Sequence, residues 1–207
     1  MLHTVVIKNR KASIAPYFRG NTMGSKAVYN TANFLIRNVM TAVSKDSDKW
    51  TDNEREVMER VETARCAYNA FRKTHALSKG KKVPEPMEAP CKGRWMLSYG
   101  FLDFLLKTEK NEAYYSCTSQ VNQQAIRKVI RAWKSYFALL KKYKDDPASL
   151  KERPHIPRYI RKAETTAHFP NQVCRLETDD TGKGVLHFAN HREPYPIGNT
   201  PCKISRQ

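Results

Sequence analysis

Two histidines and two cysteines towards the end of the chain have side chains that could do chemistry. His187 and His191 lie four apart, with Cys174 and Cys202 to either side, enough donor atoms in principle for a tetrahedral zinc site. On a strand, residues four apart share a face but stand about 13 Å from each other, too far to grip one metal without a bend. Ordinary polar contacts are the preferred reading. Asp180-Thr181-Gly182 spells the core of an aspartic-protease site, yet that chemistry needs two carboxylates sharing a proton in an apolar setting. Asp179 and Lys183 flank it, and Asp and Gly are what tight turns select, so a hairpin turn is expected. The eight glycines never form GxxxxGKS/T or GxGxxG, which removes a nucleotide-phosphate loop. Ser, His and Asp occur without a local arrangement that marks a triad. Two-metal nuclease chemistry needs convergent carboxylates, whereas the acids here gather mainly in residues 46 to 62, on and beside a helix they would solvate.

What the sequence does concentrate is positive charge. Its 207 residues hold 37 Lys and Arg against 20 Asp and Glu, a net +17, far more than solubility requires. Residues 119 to 163 carry Arg127, Lys128, Arg131, Lys134, Lys141, Lys142, Lys144, Lys151, Arg153, Arg158, Arg161 and Lys162. The acids there are Asp145, Asp146 and Glu152, so over half the net charge sits in under a quarter of the chain. A polyanion is the natural partner. Gln, Asn, Ser and Tyr interleave the cations, side chains that hydrogen-bond phosphates and bases, which favours nucleic acid over a membrane surface. Lys and Arg supply salt-sensitive affinity by releasing counterions, and Gln amides offer a paired donor and acceptor to adenine edges.

The elements that must position these groups follow from periodicity. Val28, Ala32, Leu35 and Val39 form one stripe of a helix from about Ser25 to Ser44, with Lys26, Asn30, Asn33 and Arg37 largely off it. Thr51 followed by Glu54 reads as a capping box opening a second helix, whose buried face is Val57, Val61, Ala64, Tyr68 and Phe71. Lys79 to Pro90 has three prolines and a glycine and reads as an exposed connection. Trp95 to Lys107 reads as a largely buried helix with Gly100 in its middle. The strongest helix runs from Ser119, a candidate N-cap, to about Lys144, with Ile126, Ile130, Trp133, Phe137 and Leu140 inward. Gln120, Gln124, Arg127, Lys128, Arg131 and Lys134 then face away from that stripe. Next come proline-stiffened residues 154 to 162, where Arg158, Arg161 and Lys162 flank Tyr159 in a form that can follow a phosphate backbone. Core packing is as acceptable for the Tyr159 ring as base stacking. Residues 2 to 8, 167 to 177 and 184 to 189 read as strands, the last two joined by the 179 to 183 turn.

Three stretches, SKAVYNTANFLIRN (25 to 38), TSQVNQQAIRKVIRAWKSYFALLKK (118 to 142) and PHIPRYIRKAETTAHFPNQVCRL (154 to 176), occur in this order and cover much of the chain. Together they resemble the N-terminal half of TnpB, the OrfB-type insertion-sequence protein family related to compact type V CRISPR effectors. The resemblance implies an RNA-guided DNA endonuclease in which a helical recognition lobe is inserted into a small β-barrel, the wedge domain, ahead of a RuvC nuclease. It makes Ser119, Gln120, Gln123 and Gln124 candidates for reading a short motif beside the target, most sequence discrimination being left to base pairing. The family's GIDxG-type segment, Glu, CxxC element and final Asp are absent from this sequence, so nuclease activity does not carry over to it alone.

The expected architecture is therefore α+β: a first wedge strand in 1–15, a helical recognition lobe in 16–150 and the remaining strands of a partly formed barrel in 151–207, with the RuvC domain absent. The expected function is binding of guide RNA and double-stranded target DNA by a truncated or split TnpB-like protein, with no catalysis of its own and no cofactor. A separate RuvC-containing polypeptide would restore cleavage. The alternative is a stand-alone DNA- or RNA-binding module, such as a repressor or an inert transposon remnant. Five scattered cysteines with no CxxC pair, no secretory leader and no apolar window of membrane-spanning length point to a reducing cytoplasm.

Overall fold

The computed structural model describes residues 12–162 and 166–198. Five α-helices and a three-stranded antiparallel sheet make it α+β. The strand expected at residues 2 to 8 and Cys202 lie outside the described residues. Among the described residues no helix is long and apolar enough to cross a membrane.

Helix α1 (Ala15–Ala42) begins ten residues before Ser25. Pro16 in its first turn explains the early start, since a fixed φ near the helical value and a missing N–H cost nothing there. Val28, Ala32, Leu35, Ile36 and Val39 are fully buried in the main core. The extra turns join the helices to the sheet: Ile14 packs with Tyr195 and Ile197 in a second, smaller core, and the Tyr17 hydroxyl donates to the Ala189 carbonyl at 2.7 Å.

Helix α2 (Asp52–Ser78) opens on the expected capping box. The Thr51 hydroxyl accepts from the Glu54 N–H, and the Glu54 carboxylate accepts from the Thr51 N–H at 2.7 Å. Lys45 pairs with the same carboxylate at 2.7 Å. Burial opposes the Glu54 charge, but hydrogen bonds from Lys45, Thr41 and Thr51 outweigh it and hold the carboxyl at about 2. Val57, Val61 and Ala64 are buried as their spacing requires. Phe71, expected on that face, is 52% exposed, its ring lying against Phe104 and His75. The connection that follows is exposed but pinned: Asn69 donates to the Met87 carbonyl at 2.9 Å and accepts from the Met87 N–H at 2.7 Å.

Helix α3 (Tyr99–Thr108) is capped by the Ser98 hydroxyl, which puts Gly100 in its first turn rather than its middle. A single turn, α4 (Glu112–Tyr115), follows under an Asn111 cap that sequence periodicity is too short-ranged to register. Its buried Tyr114 donates to Asp103 at 2.6 Å, and burial together with that carboxylate pushes the phenol far above its usual range. Helix α5 (Ser119–Asp145) has Thr118, not Ser119, as N-cap. Asn21 of α1 accepts from both the N–H and the hydroxyl of Thr118, at 3.1 and 2.9 Å, and so fixes where α5 starts. Val121, Ala125, Ile126, Val129 and Trp133 are buried, but Phe137 remains 38% exposed.

Strands β1 (Cys174–Thr178) and β2 (Gly184–Phe188) form the expected hairpin, although β1 starts seven residues later than the strand expected from 167, and β3 (Tyr195–Gly198) adds to β2. Asp179 closes the turn by accepting from the N–H groups of Thr181 and Lys183, both at 2.9 Å, while Gly182 takes φ +78°. Pro196 lowers the strand signal of β3, and an outer position in the sheet is where a missing N–H is tolerated.

Candidate nucleic-acid interface

Six of the thirteen Lys and Arg between residues 45 and 109 pair with carboxylates, Lys45 with Glu54, Lys49 with Asp46, Arg60 with Glu56 and Glu109, Arg65 with Glu62, Arg94 with Glu88 and Lys107 with Asp103, and the other seven have no such partner among the described residues. None of the twelve Lys and Arg from 127 to 162 pairs with a carboxylate of another described residue. Their charge is left for something outside the described fold to neutralise.

On α5 the amphipathic pattern sorts these groups. At 100° per residue, Gln120, Gln124, Arg127, Arg131 and Lys134 fall within an arc of about 80° on the side opposite the buried stripe. Arg127, Arg131 and Lys134 are exposed, while Gln120, Gln123 and Gln124 are half-buried. Ser119 is exposed, and its hydroxyl donates to the Gln120 side-chain oxygen at 2.9 Å, so these two motif-reading candidates are engaged with each other. Gln123 and Ser119 lie towards one border of the face and Lys128 towards the other.

Each border is built by a different segment. On one side, the residues leading into α3 run beside α5: the Arg127 guanidinium lies 4.6 Å over the Tyr99 ring, and Trp95 meets Trp133 and Phe137 edge-on at 5.7 and 5.6 Å. Stacking holds one plane of Arg127 and leaves its N–H edge available to a phosphate. On the other side, His168 lies within electrostatic reach of Lys128 and Arg131. Burial, then the charges of those two residues, lowers the His168 pKa, so this ring stays neutral at physiological pH.

Residues 156 to 161 form an extended strap along α1 that the sequence did not foresee as such. The Asn30 amide donates to the Ile160 carbonyl at 3.1 Å and accepts from the Ile160 N–H at 2.8 Å. Asn33 donates to the Pro157 carbonyl at 3.1 Å, Arg37 donates to the same oxygen, and Lys26 reaches the Arg161 carbonyl at 3.4 Å. Polar residues at spacings of three, four and seven, read from the sequence as merely off the stripe, thus satisfy a backbone with no sheet partner. Ile156 and Ile160 pack on the main core. Arg158, Arg161 and Lys162 are exposed, and Tyr159 has one ring face covered by Arg37 at 4.6 Å. That contact serves the packing reading of Tyr159, which stays 38% exposed.

The histidine and cysteine set of the C-terminal region is engaged in ordinary contacts. His187 lies 3.0 Å from Glu177, and His191 Nδ1 lies 2.8 Å from the Glu193 carbonyl. Cys174 is half-buried, and burial raises its thiol pKa. Among the described residues, no three His, Cys, Asp or Glu side chains are grouped so that they could hold a metal ion. In comparisons with family models, curated proteins and solved structures, nothing matches this chain.

Proposed function

We propose that this chain binds nucleic acid through the outer face of α5 and the neighbouring strap, as the recognition and wedge portion of a TnpB-like protein that engages guide RNA and double-stranded target DNA. The observation that carries this reading is that all twelve Lys and Arg from 127 to 162 lack a carboxylate partner among the described residues, where six of the thirteen between residues 45 and 109 have one, and that Arg127, Arg131 and Lys134 share one exposed helix face. Phosphates contacted by such groups release condensed counterions, a gain that vanishes when an internal carboxylate already holds the cation. The TnpB-like identity rests on the three sequence stretches, and the helices followed by a small antiparallel sheet are compatible with a recognition lobe and a wedge. In this reading the chain works in a reducing cytoplasm, performs no catalytic step and needs no cofactor, with cleavage supplied by a separate RuvC-containing polypeptide.

The test is to isolate the chain from its cells, sequence the RNA that co-purifies, and titrate the purified protein with that RNA and with duplex DNA over a range of salt. A defined RNA species and an affinity that falls steeply with salt are expected. A chain that binds neither polymer in dilute salt would overturn the proposal.

A further inference from the structure

The aromatic border of the α5 face contains a recess that the helix face itself does not use. Gly93, Arg94, Trp95, Met96 and Phe137 line a concavity of about 380 Å³, within the size range of small-ligand pockets. Its back is rigid: Trp95 meets the fully buried Trp133 at 5.7 Å, and Phe137 packs against Trp133 and Tyr136 at 5.9 and 5.1 Å. Its rim is charged. Lys134 and Lys141 stand three residues before and four after Phe137 and so lie beside it on the same helix surface, both exposed. Neither pairs with a carboxylate of another described residue, whereas Arg94 is held at the opposite lip by Glu88.

A recess lined by the Trp95 and Phe137 rings and flanked by two ammonium groups one helical turn to either side is complementary to a flat aromatic ligand whose neighbours on both sides are anionic. We propose that this recess takes one unpaired nucleobase of a single-stranded nucleic acid, stacked on Phe137 with its edge towards Trp95, whose ring is inclined at 67° to that of Phe137, and with Lys134 and Lys141 on the adjoining phosphates. The proposal rests on the nucleic-acid reading above and adds a contact that a continuous duplex cannot make, because its bases are already stacked. Stacking of this kind is worth roughly tenfold or more in affinity per base and is tolerant of which base is used.

The test uses the full chain and matched single-stranded RNA and DNA oligonucleotides, together with a duplex of the same sequence. Phe137→Ala removes a partly exposed ring, and its fold is checked by circular dichroism. It should weaken binding to the single strands about tenfold, leave duplex affinity and the salt slope unchanged, and abolish the fluorescence quenching of a 2-aminopurine placed in the strand. As a second arm with the protein unaltered, an oligonucleotide carrying an abasic site at the quenched position keeps every phosphate and should lose a similar factor. Loss with RNA alone would assign the strand as RNA, and loss with both would assign base stacking irrespective of sugar. Equal losses on duplex and single strand, or no loss with the abasic strand, overturn the recess while leaving the α5 face standing. Absence of binding to all three polymers overturns both.

Discussion

Asn33 and Trp133, one hundred positions apart, share a hydrogen bond of 2.9 Å from the indole Nε1 to the amide oxygen, and both residues are fully buried. The same Asn33 amide donates to the Pro157 carbonyl. One side chain therefore ties α1 to α5 and to the strap, the two pieces whose cations have no carboxylate partner among the described residues.

Replacing Asn33 with Leu keeps the volume but orphans the buried Trp133 N–H and leaves the Pro157 carbonyl to Arg37 alone. The orphaned N–H costs about 1–3 kcal/mol. Urea unfolding should show a lower midpoint, and a double-mutant cycle with Trp133→Phe should show strong coupling. Additive effects would mean that the indole–amide bond carries no weight.

Two glycines four residues apart on α1 should respond to alanine with opposite sign. A Cβ on Gly24 would stand 2.6 Å from the Cβ and Sγ of Cys117 and 2.8 Å from the Ser116 Oγ. Overpacking of that kind costs about 1–3 kcal/mol, more than the roughly 1 kcal/mol that Ala gains over Gly in a helix. Nothing lies within 4 Å of a Cβ on Gly20, so Gly20→Ala should raise the midpoint by the propensity alone.

Acid should act through Glu54. Its folded pKa of about 2 lies below the ordinary 4.5, so its contribution is fully present above 4.5 and is lost as pH falls from there towards 2. Glu54→Gln removes the charged half of the cap and the Lys45 pair, at about 0.5–2 kcal/mol. The stability gap between the natural chain and Glu54→Gln, followed by thermal unfolding from pH 7 to 2, should narrow to nothing at the acid end. A gap that stays constant would show that the charge is irrelevant.

Arg127, Arg131 and Lys134 share the exposed α5 face. Their combined replacement by Ala should weaken binding on every sequence and reduce the slope of log affinity against log salt by about 1 for each phosphate no longer neutralised. An unchanged slope would place the interface elsewhere.

Gln120 and Gln124 sit on that face as amides without net charge. Changing both to Ala should alter preference among short duplex motifs by about 1–3 kcal/mol per base read and leave the salt slope as it is. Equal losses on all motifs would remove base reading from this helix.

Local bonds were the legible part of the chain. The Thr51–Glu54 box, the 179 to 183 turn and the inward stripe of α5 close within a few residues, so residue types and spacing specify them. Contacts that join distant segments were not legible. The apolar stripe of α1 begins only at Val28, so periodicity places the start near Ser25, whereas the helix runs from Ala15 and Gly24 lets Cys117 approach. Phe137 belongs to the right stripe, but periodicity cannot tell where a helix runs out of neighbours, and its exposure creates the aromatic recess. The basic face could be read as charge alone. That its cations have no carboxylate partners among the described residues depends on where the acids of α2 fold.

The strap also sets a timetable for the growing polypeptide. Asn30 and Asn33 leave the ribosome 130 and 124 residues ahead of the backbone groups they serve. At about 5–20 residues per second, the amide row of α1 stands unclothed for on the order of ten seconds. Water serves those amides meanwhile, but the apolar stripe of α1 waits almost as long for Ile126, Val129 and Trp133 of α5, and a stall in the middle third would leave that stripe uncovered.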